Sequence, residues 1–458
     1  MRTHPRFQAF LVVERSEWPR RVTLEGVPTL SEHLLGRLTA ALAPVDAALA
    51  ARHPGDPGTR QPVHTCYVSA ERLHPDVVLE WGENAREALA EHAPSPADLA
   101  EATGLGGIGL GGAGLGGAGG AAGRAGEADP ALAERVYAHV LRTLSMEPIQ
   151  DLRVDLEDGY GIRPDDVEDE HAIAAAEALR LASAAGALPD SYGLRPKSLD
   201  PAVRDRGLRS LDLFLTALAG DDGGPPGLVI TLPKVSAPEQ VGVFLAVLDE
   251  LVPRIDLRPP AIELQIETPA AVLALPALVD AGLGRVTGLH VGTYDYSAAL
   301  GIAAENQASD HPAVEYATTL MQLVTAGTGI RVADGSSNLL PVGSTDAVWA
   351  AWRRHAGLVS RAWRRGLYQG WDLHPAQLVS RHAAVAANLL AGLPTALARL
   401  AAYAEARFAG AVADEPATAR ALAGHVLRAL DAGLLDEAGL AAADLDRAVV
   451  MKLGGRRS

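Results

Sequence analysis

What most limits the fold of this chain is a rhythm repeated about eight times: a short β-branched or apolar run, a polar or Gly/Pro-containing end, then a stretch rich in Ala and Leu. Such alternation is the signature of strands joined by crossover helices, and hence of an α/β fold with a parallel sheet. The spacing predicts strands over residues 64–69, 152–156, 192–194, 228–232, 262–266, 288–291, 330–332 and 368–373. Helical stretches fit between them, among them 166–185, 238–251, 269–281, 311–326 and 345–365. About eight such units agree with a closed (β/α)8 barrel, the TIM barrel. An open doubly wound sheet shares the pattern, because periodicity does not report closure.

The barrel is expected over residues 62–380, preceded by an N-terminal helical extension (1–61). A C-terminal helical region follows (381–458), with Ala-rich helices over 376–390, 394–408, 416–432 and 438–449 that form either a packed appendage or an oligomer interface. A segment built almost wholly from Gly, Ala, Leu and Ile interrupts the barrel at about 104–126. A membrane span is opposed there by the glycines, each of which costs about 1 kcal/mol of helix propensity relative to Ala. Gly107, Gly109 and Gly112 satisfy G-x-G-x-x-G, but residues 94–103 before them read as a helix end, whereas a dinucleotide site needs a strand. A flexible surface insertion fits the composition.

Hydrophobic residues make up 48% of the 458, enough for a sizeable core, although aromatics are only 4% and Ala and Leu must do most of the packing. A net charge of −16 opposes binding to nucleic acid or to an anionic membrane surface, since both need a basic footprint. The single cysteine, Cys66, can form neither an internal disulfide nor a thiolate metal cage, and its expected role is a small buried side chain. Residues 7–13 are apolar but run straight into Glu14, Arg15 and Glu17 with no cleavage pattern, so a cytoplasmic protein is expected.

The polar residues that punctuate the strands gather at their C-terminal ends, the catalytic rim of a barrel. They are Glu157 and Asp158; Arg195 and Lys197; Lys234; Glu267; Gly292 and Asp295; and His374. Glu267 and Asp295 lie one βα unit apart and would stand side by side. Hard oxygen donors without Cys or His favour Mg²⁺, with Mn²⁺ as the alternative ion, over zinc. Either acid could instead cap the helix after it, which Thr268-Pro269 suits. Arg195 has the planar fork that a carboxylate accepts bidentately, or it forms an outward salt bridge. Glu157 and Asp158 could orient Arg195 or a metal-bound water or carry a proton, or they open a solvated acidic loop that continues through Asp165, Asp166 and Glu168. Lys197 and Lys234 could stabilise enolate charge, and His374 before Pro375 either holds a turn or meets substrate.

Taken in order, these blocks resemble the HpcH/HpaI aldolase and citrate lyase β-subunit family of pyruvate/phosphoenolpyruvate-binding barrels, closer to the citrate lyase β-like branch. The likeness covers residues 63–379. Tyr67-Val68-Ser69-Ala70-Glu71-Arg72 is similar to the family's first-strand phrase, Asp155-Leu156-Glu157-Asp158 to its second, Leu232-Pro233-Lys234-Val235 to its fourth, and His374-Pro375-Ala376-Gln377 to its last. The resemblance implies Mg²⁺ on Glu267 and Asp295, and Arg195 holding the carboxylate or oxo group of a keto acid. It also implies aldol or Claisen chemistry through a stabilised enolate, often on acyl-CoA thioesters, in a homo-oligomer. Two departures matter. Asp158 stands where the hydroxy-keto-acid aldolases carry a proton-transferring histidine, and Arg195-Pro196-Lys197-Ser198 differs from the usual third-strand phrase. The expectation is therefore a Mg²⁺-dependent carbon–carbon lyase or aldolase. An acyl-CoA/glyoxylate condensing enzyme or hydroxyacyl-CoA thioesterase, and a non-catalytic metabolite-binding barrel or complex subunit, are the competing readings.

Overall fold

A computed structural model describes residues 30–105, 129–409 and 415–456, so most of the Gly-rich segment and the first 29 residues lie outside the described part. The chain divides into two compact units after Arg52. The first, as described, is the helix Glu32–Arg52, none of whose residues is buried. By length and composition alone this helix and Gln377–Glu405 could each cross a membrane, but 56% of the apolar stretch of the latter is buried inside the protein, as in a core helix.

The second unit holds eight parallel strands: β1 (His64–Ser69), β2 (Asp151–Asp155), β3 (Ser191–Arg195), β4 (Leu228–Leu232), β5 (Ala261–Ile266), β6 (Val286–Val291), β7 (Arg331–Ala333) and β8 (Gly370–Asp372). They neighbour one another in chain order, and β8 returns to pair with β1, His64 opposite Gly370. That order decides for the barrel over the doubly wound sheet, in which the strand order reverses midway. The ring closes narrowly, through a bridge between Ala333 and Gln369 and the Asp334 N–H donated to the Gln369 carbonyl at 2.8 Å.

Side chains alternate along each strand, so one set meets the surrounding helices and the other fills the barrel. Leu152, Val154, Ile262, Leu264 and Ile266 join the apolar layer under the helices. The inward set is polar: Asp151, Arg153 and Asp155 on β2, Glu263, Gln265 and Glu267 on β5. Arg153 is fully buried and donates to Asp151 at 2.8 Å and to Glu263 at 2.9 Å. Room for it comes from Gly193 on β3, where a Cβ would lie 2.6 Å from Arg153 Nη1 and 1.7 Å from the Val229 carbonyl oxygen. Any side chain there would expel the ion pair that fills the barrel axis.

At the C-terminal end the structure departs from the predicted breaks. Residues 377–409 form one helix that runs through Pro394, because Leu389, Leu393, Ala396 and Leu400 pack into one core cluster on both sides of it while the proline ring points to solvent. The opposite happens after Pro416–Asp431. A single helix over 438–449 was expected, but Glu437–Ala441 and Arg447–Gly454 are separate, since Asp444 adopts a left-handed φ of 57° and Asp446 caps the second by accepting from the Val449 N–H. All of these helices belong to the same compact unit as the barrel.

Candidate functional site

The C-terminal strand ends open into a cavity of about 800 Å³. Its walls include Tyr67, Asp158, Arg195, Glu267, Asp295 and His374. Arg195, at the end of β3, is 5% exposed and is fixed from below by Asp155: Nε donates to Oδ1 and Nη2 to Oδ2, both at 2.7 Å. Nη1 donates to Gln265 Oε1 at 3.2 Å. One N–H on each terminal nitrogen is left over. The guanidinium lies over the Tyr67 ring at 4.6 Å and within 5.9 Å of the Trp371 ring. Against the cost of burial, Asp155 keeps this arginine charged. Asp155 itself is held by the N–H groups of Glu157 at 3.0 Å and Gly159 at 2.8 Å.

Glu267, at the end of β5, is 2% exposed. Its Oε1 accepts the Lys234 N–H at 2.7 Å, and its Oε2 accepts from the Gln265 side-chain amide. Burial pushes its carboxyl up to about 8; Asp295 adds to the rise, while Arg195 and Lys234 oppose it. Asp295 sits in the first turn of the helix Thr293–Ala299 with its side chain 44% exposed. Gly292 stands between them, and a Cβ there would come within 2.2 Å of Glu267 Oε2. The glycine is what lets the carboxylate lie against the sixth strand end. Two carboxylates converging on one cavity, one of them buried, with hard oxygens and no competing sulfur, fit a small divalent cation.

Lys234 holds the acids together. Its backbone takes a left-handed φ of 52°, which aims the N–H at Glu267 and sends the side chain across the rim. The ammonium lies 2.6 Å from Glu157, 2.8 Å from Asp158 and 3.2 Å from Asp295. Asp158, Glu157 and Glu267 hold it well above the usual lysine range despite partial burial. Burial, and then the hydrogen bond shared with Asp158, pushes the Glu157 carboxyl up to about 7. Burial alone would raise Asp158 too, but its hydrogen bonds with Glu157 and Lys234 more than offset it and the net shift is downward.

The expected site residues therefore separate. Glu267, Asp295, Asp158, Arg195, Gly292 and His374 line one cavity. Glu157 lies behind them, joined through Lys234. Lys234 was expected to meet substrate, but its ammonium is already shared among three carboxylates. Lys197 is turned away altogether: Nζ donates to the Leu156 carbonyl at 2.8 Å, pairs with buried Glu168 at 2.8 Å and lies over the Tyr160 ring. It fastens the loop after β2 and is absent from the cavity wall, because its ammonium is drawn to buried Glu168 and to the Leu156 and Gly161 carbonyls. His374 does two things. Its Nδ1 accepts the Ala376 N–H at 3.2 Å, which assigns the proton to Nε2, and burial holds the ring below its usual range and so neutral.

Four contributors were not singled out by the motifs: Asp155, Gln265, Tyr67 and Trp371. The signal for two of them was present, since Asp155 and Gln265 continue the period-two polar series of β2 and β5 that marks inward positions. Tyr67 and Trp371 stack at 4.8 Å beside Arg195, a contact between the first and last strands that no local pattern shows.

Residues 42–457 match the family described as Domain of unknown function (DUF6986). The chain belongs to this family. No curated protein matches the sequence. Among solved structures, a citrate lyase from Burkholderia xenovorans LB400 is 22% identical and superposes over 67% of this chain and 91% of its own, with a TM-score of 0.52. The citrate lyase β subunit of M. tuberculosis, complexed with oxaloacetate and magnesium, is 15% identical over 73% of this chain and 99% of its own (TM-score 0.38). An HpcH/HpaI aldolase/citrate lyase family protein from Burkholderia cenocepacia J2315 is 18% identical over 54% and 86% (TM-score 0.34). At these identities the likeness is one of fold, carried by the first. The DUF6986 chain has the barrel fold of that citrate lyase structure.

Proposed function

We propose that this DUF6986 protein is a divalent-metal-dependent carbon–carbon lyase or aldolase that acts on a keto-acid or hydroxyacyl unit. The observation that carries the reading is the convergence of Glu267, Asp295 and Arg195 on one cavity at the C-terminal end of the barrel. Glu267 and Asp295 would hold the ion, Mg²⁺ or alternatively Mn²⁺. When bound, such an ion supplies Lewis-acid stabilisation of the negative charge that develops on a carbonyl oxygen as a neighbouring C–C bond breaks or forms.

The protein's own groups provide the rest. Arg195 presents its two unused N–H groups to a substrate carboxylate, and because Asp155 fixes the guanidinium beforehand little ordering remains to be done on binding. Tyr67 and Trp371 flank it and exclude water, which strengthens the ion pair. His374 offers a neutral Nε2–H donor. Asp158, on the cavity wall and tethered to Lys234, is the candidate to take the proton of a substrate hydroxyl; the C–C bonding pair then moves onto the carbon beside the carbonyl, which is reprotonated.

The test is a thermal-shift screen of the whole chain, with and without Mg²⁺, against pyruvate, glyoxylate, oxaloacetate and several CoA esters, followed by turnover assays on the ligands that bind. Metal-dependent stabilisation by a keto acid and C–C cleavage or condensation are expected. Release of free CoA instead of intact acyl-CoA would mark a condensing or thioesterase activity. Undiminished turnover by the Glu267→Ala/Asp295→Ala double variant in excess EDTA would overturn the proposal, and tight keto-acid binding without turnover across the panel would point to a non-catalytic barrel.

A further inference from the structure

The end of the barrel opposite Glu267 carries a second cavity, of about 250 Å³, enclosed by the segment leading into β1, the starts of β7 and β8, the helix Pro416–Asp431 and Arg456. Four arginines line it: Arg60, Arg331, Arg428 and Arg456. Two of them are neutralised. Arg60 makes two 2.7 Å bonds to Glu147, and Arg456 pairs with Asp431 at 2.8 Å and with Asp56 at 3.8 Å.

The other two are not. Among the described residues Arg331 is hydrogen-bonded to neutral acceptors only, the Arg60 carbonyl at 2.9 Å, the Thr59 carbonyl and the Thr59 hydroxyl at 2.8 Å. Arg428 lies face-on against the Tyr368 ring at 3.6 Å, with no carboxylate bonded to it among the described residues. In a chain with 56 acidic and 40 basic residues, two guanidiniums to which no carboxylate is bonded among the described residues face one small cavity, whose own acids, Asp56 and Asp431, are paired with Arg456 and act on Arg331 only at longer range. The floor beneath them is apolar, with Trp363 edge-on to Tyr368 at 5.0 Å and buried Leu389 beside it. An anion there would be poorly hydrated and correspondingly strongly held. Burial already pulls Arg331 below the usual arginine range.

We propose that this cavity is a binding site for a compact anion, a phosphate or a small polycarboxylate, clamped between Arg331 and Arg428. The size argues for a small ligand: about 250 Å³ lies below the roughly 300–1,000 Å³ typical of drug-sized and cofactor pockets. Arg331 opens β7 and Arg428 belongs to a C-terminal helix, so one anion bridging them ties the helical layer to the N-terminal face of the barrel. Arg428 can offer paired N–H groups, the geometry that planar or tetrahedral oxyanions accept, and Arg331, whose Nη2 donates to Thr59 and whose Nη1 donates to the Arg60 carbonyl, can add its remaining single N–H groups.

The experiment is titration calorimetry and thermal unfolding of the full chain with inorganic phosphate and, separately, with citrate, at ionic strength matched with sodium chloride. Wild type, Arg428→Gln, Arg331→Gln and Arg195→Gln are compared. Saturable binding to wild type and to Arg195→Gln, weakened at least tenfold in Arg428→Gln, is expected, and whichever probe binds more tightly distinguishes phosphate from carboxylate. Arg428, whose side chain packs on a ring face and anchors no backbone, serves where Arg331→Gln fails to fold. No saturable binding of either probe to wild type, or equal binding to both cavity variants, overturns the proposal. Binding abolished by Arg195→Gln and kept by Arg428→Gln also overturns it, since the anion then sits at the mouth; because the Arg195 variant reports on that site alone, this result is distinguishable from a failure of the proposed activity.

Discussion

Two clusters of metal-ligating side chains, one wholly buried and one at the mouth of the barrel, differ in what they can do. Below β8, His64, Cys66 and Asp372 bring ligand atoms within 4.8 Å of one another, the spacing of a metal site. Every strong donor there is already used. His64 Nδ1 gives its proton to Asp372 at 2.8 Å and its Nε2 accepts the Gln150 N–H at 3.2 Å. Arg381 and His355 take up the remaining capacity of Asp372, and burial pushes the Cys66 thiol up, away from the thiolate a metal needs. At the mouth, Asp155, Glu157, Asp158, Glu267 and Asp295 share the paired cations Arg195 and Lys234, and the excess of acid adjoins open volume. Ligand spacing alone would favour the buried cluster, the group of three whose ligand atoms lie within 4.8 Å of one another among the described residues. Unbalanced charge beside space for an ion distinguishes the site from the strut.

The comparison breaks most decisively at Glu267. Glu267→Gln keeps the shape and the hydrogen bond from Lys234 but removes the charge, so Mg²⁺ binding measured by calorimetry should vanish and turnover fall roughly a thousandfold, with the unfolding midpoint little changed. Asp372→Ala should do the reverse. Leaving Arg381 buried beside two histidines without its carboxylate costs about 3–5 kcal/mol in urea unfolding, while Mg²⁺ affinity of the folded protein stays as in wild type. If the Asp372 variant lost metal as the Glu267 variant does, the two clusters would be one functional unit and the distinction would fail. A finer cut is Gly292→Ala, whose methyl must displace Glu267 Oε2. Metal affinity should drop about 10- to 100-fold, as when a ligand loses its orienting neighbour, with turnover recoverable at high Mg²⁺.

Much of this architecture was legible in the sequence. The strand rhythm placed all eight strands to within a few residues, because apolar runs bounded by Gly, Pro and charge are a local pattern. Closure was not local: it rests on β8 returning to β1 and on one bridge at Gln369. At the site, position at a strand end brings Arg195, Glu267 and Asp295 to one cavity, whereas where Lys197 and Lys234 point was not legible, because a long flexible side chain goes where its acids are, and those acids come from another part of the chain, the loop and helix after β2. Pro394 misled in the same way, since a local helix-breaker was outweighed by the core contacts of the helix on either side of it.

Asp334 shows that a strand-end acid is not thereby part of the mouth. It follows β7, is 7% exposed, leaves Oδ1 without a hydrogen-bond partner among the described residues and is absent from the cavity wall. Burial pushes its carboxyl up to about 6, only partly opposed by the Gly335 N–H. Because the folded-state value lies above the unfolded one, the native protein binds a proton there that the unfolded chain has already lost. Wild-type stability should therefore fall as pH rises from about 4 to about 6, by up to about 1.4 kcal/mol per pH unit from this group, and the cost is complete above that window. Asp334→Asn has no proton to lose. Its unfolding midpoint should exceed that of wild type at pH 7 and the difference should shrink toward pH 4, with turnover unaffected at both; a gain independent of pH would mean that packing rather than buried charge sets the effect.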